Sequence, residues 1–164
     1  MKTKLNLYSF VIAVIILSII GCSKNEENPA DFNQVVSTEK WDAVMDNDSL
    51  NHGTHTFYKK TDGSITTSGT WYHNHQGTEV VCQFNNGPVT ITDTVVVFSA
   101  QGTATNPAAP VGYQTSPFTF STTGTAKNGH AYGTYSIKFS TMGWPSEITG
   151  VFASVRVSGS GITK

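Results

Sequence analysis

The chain of 164 residues carries little charge and almost no cysteine. Only 13% of its residues are Asp, Glu, Lys or Arg, and the net charge at pH 7 is −1. The basic residues are scattered rather than clustered among aromatic side chains, which argues against nucleic-acid binding. With two cysteines in total, a disulfide-rich scaffold is also excluded.

Common catalytic motifs are missing as well. The chain has no Gly-x-Ser-x-Gly elbow and no glycine-rich turn that leads into a helix. The acidic residues after residue 50 are few and far apart, which argues against a carboxylate pair for glycoside hydrolysis. These absences favour a non-enzymatic role and leave a metal-dependent activity as the alternative.

The N-terminal segment has the anatomy of a secretory signal peptide. A positively charged start precedes an apolar run over residues 10–17, and the small residue Gly21 precedes Cys22. The segment Ile19-Ile20-Gly21-Cys22 resembles the lipobox of bacterial lipoproteins. This resemblance implies cleavage before Cys22, lipidation of its thiol, and membrane attachment through that lipid. The alternative is a short transmembrane anchor, for which the apolar stretch lies at the lower limit of length.

Residues 22–37 are predicted to form a lipidated flexible tether, because they contain few apolar side chains. The acidic pair Glu26-Glu27 resembles the export stretch of lipoproteins that Gram-negative bacteria send to the outer face of the outer membrane. That resemblance implies a surface-exposed outer-membrane protein, with an ordinary solvated tether as the alternative. The predicted organisation is a signal peptide over 1–21, the tether over 22–37 and a single domain over 38–164.

The domain is predicted to be all-β. Threonine, serine, valine and aromatic residues dominate it, Asp-Gly and Asn-Gly turns recur, and no helix-length amphipathic segment follows residue 50. We predict strands over 40–46, 54–60, 64–75, 77–85, 89–99, 116–126, 131–140 and 147–158. The first of these is also compatible with a short helix. Sequential strands joined mostly by short turns favour an up-and-down barrel, with a β-sandwich as the alternative.

Two Asn-Gly dipeptides are predicted to form two-residue hairpin turns, which fix the strand register. A turn at Asn128-Gly129 places Phe120 opposite Ile137 and gives this hairpin one apolar face and one polar face. A turn at Asn86-Gly87 places Cys82 among apolar residues, opposite Ile91. Because lipid occupies Cys22, Cys82 has no disulfide partner within the chain, and we expect its thiol to be buried and inert.

A third turn, at Asp62-Gly63, brings histidines together in the predicted register. His52 lies opposite His73, His75 follows on the same face, and His55 faces the other way. Three imidazoles on one face are a donor set for zinc or copper, so His52, His73 and His75 form a candidate metal site. The alternative is a group of solvated or hydrogen-bonded histidines at the rim of a barrel.

The sequence around this third turn carries a family resemblance. Asp62-Gly63 followed by Gly69-Thr70-Trp71-Tyr72 resembles the Gly-x-Trp signature of the calycins, the lipocalin and avidin-like barrels. With Lys40-Trp41 upstream, residues 38–85 are most similar to small lipocalin-like lipoproteins. The motif falls on the third predicted strand, whereas lipocalins carry it on the first. This departure and the short domain argue against a large ligand cavity, and the avidin ligand residues are not matched.

Two functional hypotheses remain open. The first is a non-enzymatic binding module for a small ligand, a glycan or a partner protein, and the second is a metal-binding protein or metal-dependent enzyme. The aromatic side chains are interpreted as core rather than as a ligand platform, because aromatic residues dominate core energetics. They are Trp71, Tyr72, Phe118, Phe120, Tyr135, Phe139 and Trp144.

Overall fold

The computed structural model describes residues 34–164, which form a closed barrel of eight antiparallel strands in sequence order. Each strand pairs with the next, and the last pairs with the first. The strands are β1 Val35–Met45, β2 Asp48–Lys60, β3 Ile65–His75, β4 Thr78–Thr92, β5 Val95–Thr105, β6 Thr115–Lys127, β7 His130–Phe139 and β8 Glu147–Gly159. The predicted up-and-down barrel is thereby confirmed, and the sandwich alternative is wrong.

The barrel begins earlier than the sequence pattern indicated. Residues 35–37, predicted as the end of the tether, belong to β1, and the segment predicted as either strand or helix is a strand. The signal peptide, Cys22 and most of the tether lie outside the described residues. Within residues 34–164, the structure contains no helical segment of the length and apolarity needed to span a bilayer.

The hairpin predicted at Asn128-Gly129 is confirmed in every pair. Lys127 lies opposite His130, and Phe120 lies opposite Ile137. Asn128 and Gly129 both have positive φ, as the two-residue turn requires. Phe120 and Ile137 are buried, so the apolar face of this hairpin points into the barrel.

The hairpin predicted at Asn86-Gly87 is wrong. β4 continues through these residues, with a register irregularity between Asn85 and Val89, and the chain turns at Asp93, where φ is 56°. Cys82 therefore lies opposite Trp71 and Ala104 rather than Ile91. The thiol is nevertheless buried as expected, and burial raises its pKa to about 12.

Side chains fill the middle of the barrel. Gly69 leaves room for this packing, because a Cβ atom there would approach Phe84 Cζ to 2.7 Å and His55 Cβ to 2.9 Å. The void beside His55 and Trp41 measures only about 20 Å³. The interior is therefore a packed core. Its buried Trp, Phe and Tyr side chains are Trp41, Phe57, Trp71, Phe84, Phe98, Phe118, Phe120 and Tyr135.

The two ends of the barrel are closed differently. We call the end that holds the connections 46–47, 76–77, 106–114 and 140–146 the upper end, and the opposite end the lower end. At the lower end the C-terminal residues 160–164 are held by Glu39, whose carboxylate accepts hydrogen bonds from the backbone N–H groups of Ile162 and Thr163. Within the described residues 34–164, the strand pairings close the barrel and surround one buried core.

Candidate functional site

A cavity of about 280 Å³ lies at the upper end of the barrel. It is bordered by the two longest connections of the barrel, residues 106–114 and 140–146, which join β5 to β6 and β7 to β8. Val80 and Ile148, which are on the interior face of β4 and β8, line it from the barrel side. The cavity is thus placed above a packed core rather than inside an open barrel.

Aromatic rings form much of the cavity wall. Phe139 and Trp144 have ring centroids 5.1 Å apart with an interplanar angle of 35°. Trp144 Nε1 donates a hydrogen bond of 2.8 Å to the carbonyl oxygen of Tyr113, which ties the two long connections together. Since the indole N–H is used in this way, Trp144 offers the cavity its apolar ring surface.

The turn at Asp62-Gly63 does not have the predicted register. Residues 61–64 form a longer connection, so Lys59 lies opposite Ile65 and His52 lies opposite Tyr72. His52 is exposed on the outer surface, where its ring stacks on Tyr72 with a centroid distance of 4.9 Å. The prediction that His52 faces His73 is therefore wrong.

His73 and His75 do come together, on the opposite side of the sheet from His52. Both line the cavity, and their charges influence each other. The three-histidine ligand set is not assembled, because His52 lies on the outer face. Among residues 34–164, no group of three or more histidine, cysteine or acidic side chains is placed to hold a metal ion.

His73 is the half-buried imidazole of the pair. Burial and the neighbouring His75 lower its pKa below the usual 6.5, and the carboxylates of Asp46 and Asp48 offset this only in part. At pH 7 the ring is consequently neutral, with one N–H donor and one acceptor nitrogen. His75 lies closer to solvent at the end of β3.

His55 faces away from His52, as predicted, and enters the barrel core. Its ring is parallel to that of Trp41 within 4° and also contacts Phe57 and Phe98. Burial lowers the pKa of His55 to about 4, and its Nδ1 atom has no hydrogen-bond partner among the described residues. His55 is thus part of the core and does not reach the cavity.

Several cavity residues were not singled out by the sequence. Tyr113, Pro110 and Pro145 lie on the long connections, where no periodic pattern marks which side chains point inward. Trp144, which was interpreted as core, packs against the buried core as a partly buried side chain and also forms a cavity wall. The only signal for this region was the irregular stretch over residues 102–116.

Comparisons of the chain with protein-family models, with curated proteins and with solved structures found no match.

Proposed function

We propose that this protein is a lipid-anchored, lipocalin-like β-barrel of the outer membrane that binds a small ligand in the cavity at its upper end. The observation that carries the proposal is the contrast between the two regions of the barrel. The middle is filled by aromatic side chains, while the upper end keeps an aromatic-lined cavity of about 280 Å³. Concave, mostly apolar sites with a few polar groups are typical of small-molecule binding.

The position of the chain terminus supports this function. β1 starts with Val35 at the lower end, which is the end of the barrel opposite the cavity. A lipid on Cys22 would be joined to the barrel through the start of β1, and not through the connections that border the cavity. Two or more acyl chains are sufficient for stable anchoring.

A small ligand is favoured over a glycan. The walls are mostly apolar, and the polar side chains on them are few, chiefly His73, His75 and Asn106. A sugar ring carries hydroxyl groups on its whole circumference, and most of them would lose their hydrogen bonds to water without replacement. Each such loss costs about 1–3 kcal/mol.

A matched pair of alanines allows a direct test. Ala109 lines the cavity, whereas its neighbour Ala108 is exposed and does not. The chain from Ser23 onward, which lacks the lipidation site, is titrated with the uncharged fluorophore N-phenyl-1-naphthylamine. We expect saturable one-to-one binding that Ala109→Phe abolishes by filling the cavity and that Ala108→Phe preserves. Equal binding by both variants would place the fluorophore elsewhere and contradict the proposal.

A further inference from the structure

We infer that the cavity selects an uncharged heteroaromatic ring system of one or two fused rings that carries a hydrogen-bonding ring nitrogen. This inference rests on the proposed function, because it names the chemical class of ligand for the same cavity. Three properties of the cavity lead to it: its lack of charge, its flat aromatic walls, and the pair of imidazoles at its edge.

Charged ligands are excluded by the lining. None of the described residues that line the cavity carries a carboxylate, an ammonium or a guanidinium group. An ion that entered would lose water without gaining a counter-charge, and this transfer costs several kcal/mol or more. The nearby carboxylates of Asp46 and Asp48 influence His73 but do not line the cavity, and they would repel an anion further.

The shape of the walls selects a flat ligand. Phe139, Trp144 and Tyr113 present rings, and Pro110 and Pro145 add two further rigid apolar surfaces. Aromatic rings contact one another best in offset-stacked or edge-to-face arrangements. The volume of about 280 Å³ lies just below the range of about 300–1,000 Å³ for drug-sized ligands, which limits the fused ring system of the ligand to one or two rings.

The imidazoles distinguish a heteroaromatic ring from a hydrocarbon. His73 is neutral at pH 7 and half-buried, so it offers a donor and an acceptor at the edge of an apolar site. His75, two residues along β3, adds a second imidazole on the same face. A ligand without polar atoms would leave these groups desolvated and unpaired, which weakens its binding relative to a ligand with a ring N–H.

The test compares four competitors that displace bound N-phenyl-1-naphthylamine from the chain that begins at Ser23. Indole combines two fused rings with an N–H, naphthalene lacks the nitrogen, indole-3-acetate adds a negative charge, and methyl β-glucopyranoside replaces the aromatic ring with a sugar. We expect indole to bind about three- to tenfold more tightly than naphthalene, the value of one hydrogen bond. Indole-3-acetate and the glucoside should displace the fluorophore less well than indole.

Two variants assign the preference to the histidines. His73→Leu and His75→Leu should each reduce the advantage of indole over naphthalene, because indole loses a hydrogen-bond partner and naphthalene no longer leaves an imidazole unpaired. A circular-dichroism spectrum and a thermal unfolding transition like those of the unmodified chain show that each variant is folded. If naphthalene equals indole in the unmodified chain, or if the anion or the sugar is preferred, the inference is overturned while the proposed function stands. If the fluorophore itself does not bind, the proposed function fails.

Discussion

Glu39 is a charged side chain with no exposed surface at the lower end of the barrel. Its carboxylate is 3.0 Å from a guanidinium nitrogen of Arg156 and accepts hydrogen bonds from Thr163 Oγ1 and from two backbone N–H groups. Burial alone would raise its pKa, but the hydrogen bonds from Ile162 and Thr163, together with Arg156, bring the pKa below the usual 4.5. Glu39 is therefore ionised in the folded protein and joins the C-terminal residues to the barrel.

We expect Glu39→Gln to reduce the free energy of unfolding by about 3–5 kcal/mol at pH 7, because it leaves Arg156 partly buried without its counter-charge. The folded-state pKa of Glu39 is lowered, so its contribution is present above the unfolded pKa and is lost as pH falls through the folded pKa. Urea unfolding of both proteins should therefore show a gap that narrows below about pH 4.5. Glu147→Gln is the control, since its ion pair with Lys138 is exposed and is worth at most about 1 kcal/mol. A constant gap down to pH 2 would contradict the role of the ionised carboxylate.

Two neighbouring residues on β6, Phe120 and Ser121, face opposite sides of the barrel wall. Phe120 is 1% exposed and contacts Trp71 and Phe84, whereas Ser121 lies on the outer face with its hydroxyl 3.3 Å from that of Ser99. Phe120→Asp should cost about 3 kcal/mol or more, because it buries an unpaired charge, while Ser121→Asp should stay within about 0.5 kcal/mol. Denaturant unfolding of the two variants measures the difference. Similar losses for both would mean that the outer face is also covered.

The strand pattern was sufficient to predict the barrel and the hairpin of β6 and β7 but not every turn. Before Asn86-Gly87 the inward residues are even-numbered, as Phe84 shows, and after it they are odd-numbered, as Val89 shows. A two-residue hairpin and a bulge within one strand both shift the inward positions in this way, so alternation alone cannot distinguish them. In the folded chain, Asn86 has a φ of 53° inside the irregular part of β4, and Asp93, with a φ of 56°, begins the turn into β5.

The register predicted for β2 and β3 from a turn at Asp62-Gly63 was wrong for a different reason. Residues 66–70 are Thr, Thr, Ser, Gly and Thr, so the two faces of β3 hardly differ in hydrophobicity over this stretch. A shift by one residue carries almost no penalty in the sequence pattern, yet it moves every side chain to the other face. His52 consequently lies outside the barrel while His73 and His75 line the cavity. The cavity was not predicted, because Tyr113 and Trp144 lie on irregular connections, where no strand alternation shows which side chains point inward.

At the scale of the whole molecule, the two ends of the barrel differ in what they hold. The lower end holds the start of β1, the Glu39–Arg156 pair and the C-terminal residues, where Asn128 N donates to the Lys164 carbonyl oxygen and the Lys164 ammonium pairs with Asp93. The upper end holds the two long connections and the cavity. The proposed function makes use of this difference, since it assigns ligand binding to the upper end alone.

The last prediction tests whether the two ends are independent. Replacing Cys22 by Ala removes the thiol to which the lipobox-like segment directs lipid, so we expect loss of fatty-acid labelling and accumulation of an unprocessed precursor in cells. The cavity lies at the end of the barrel opposite to the start of β1, so the same replacement should leave fluorophore binding by the purified full-length chain unchanged. Ser23→Ala, one residue further along the chain, is the control and should be labelled and processed normally. Normal labelling of Cys22→Ala would show that Cys22 is not the lipidation site, and a change in fluorophore affinity would show that the N-terminal segment acts on the cavity.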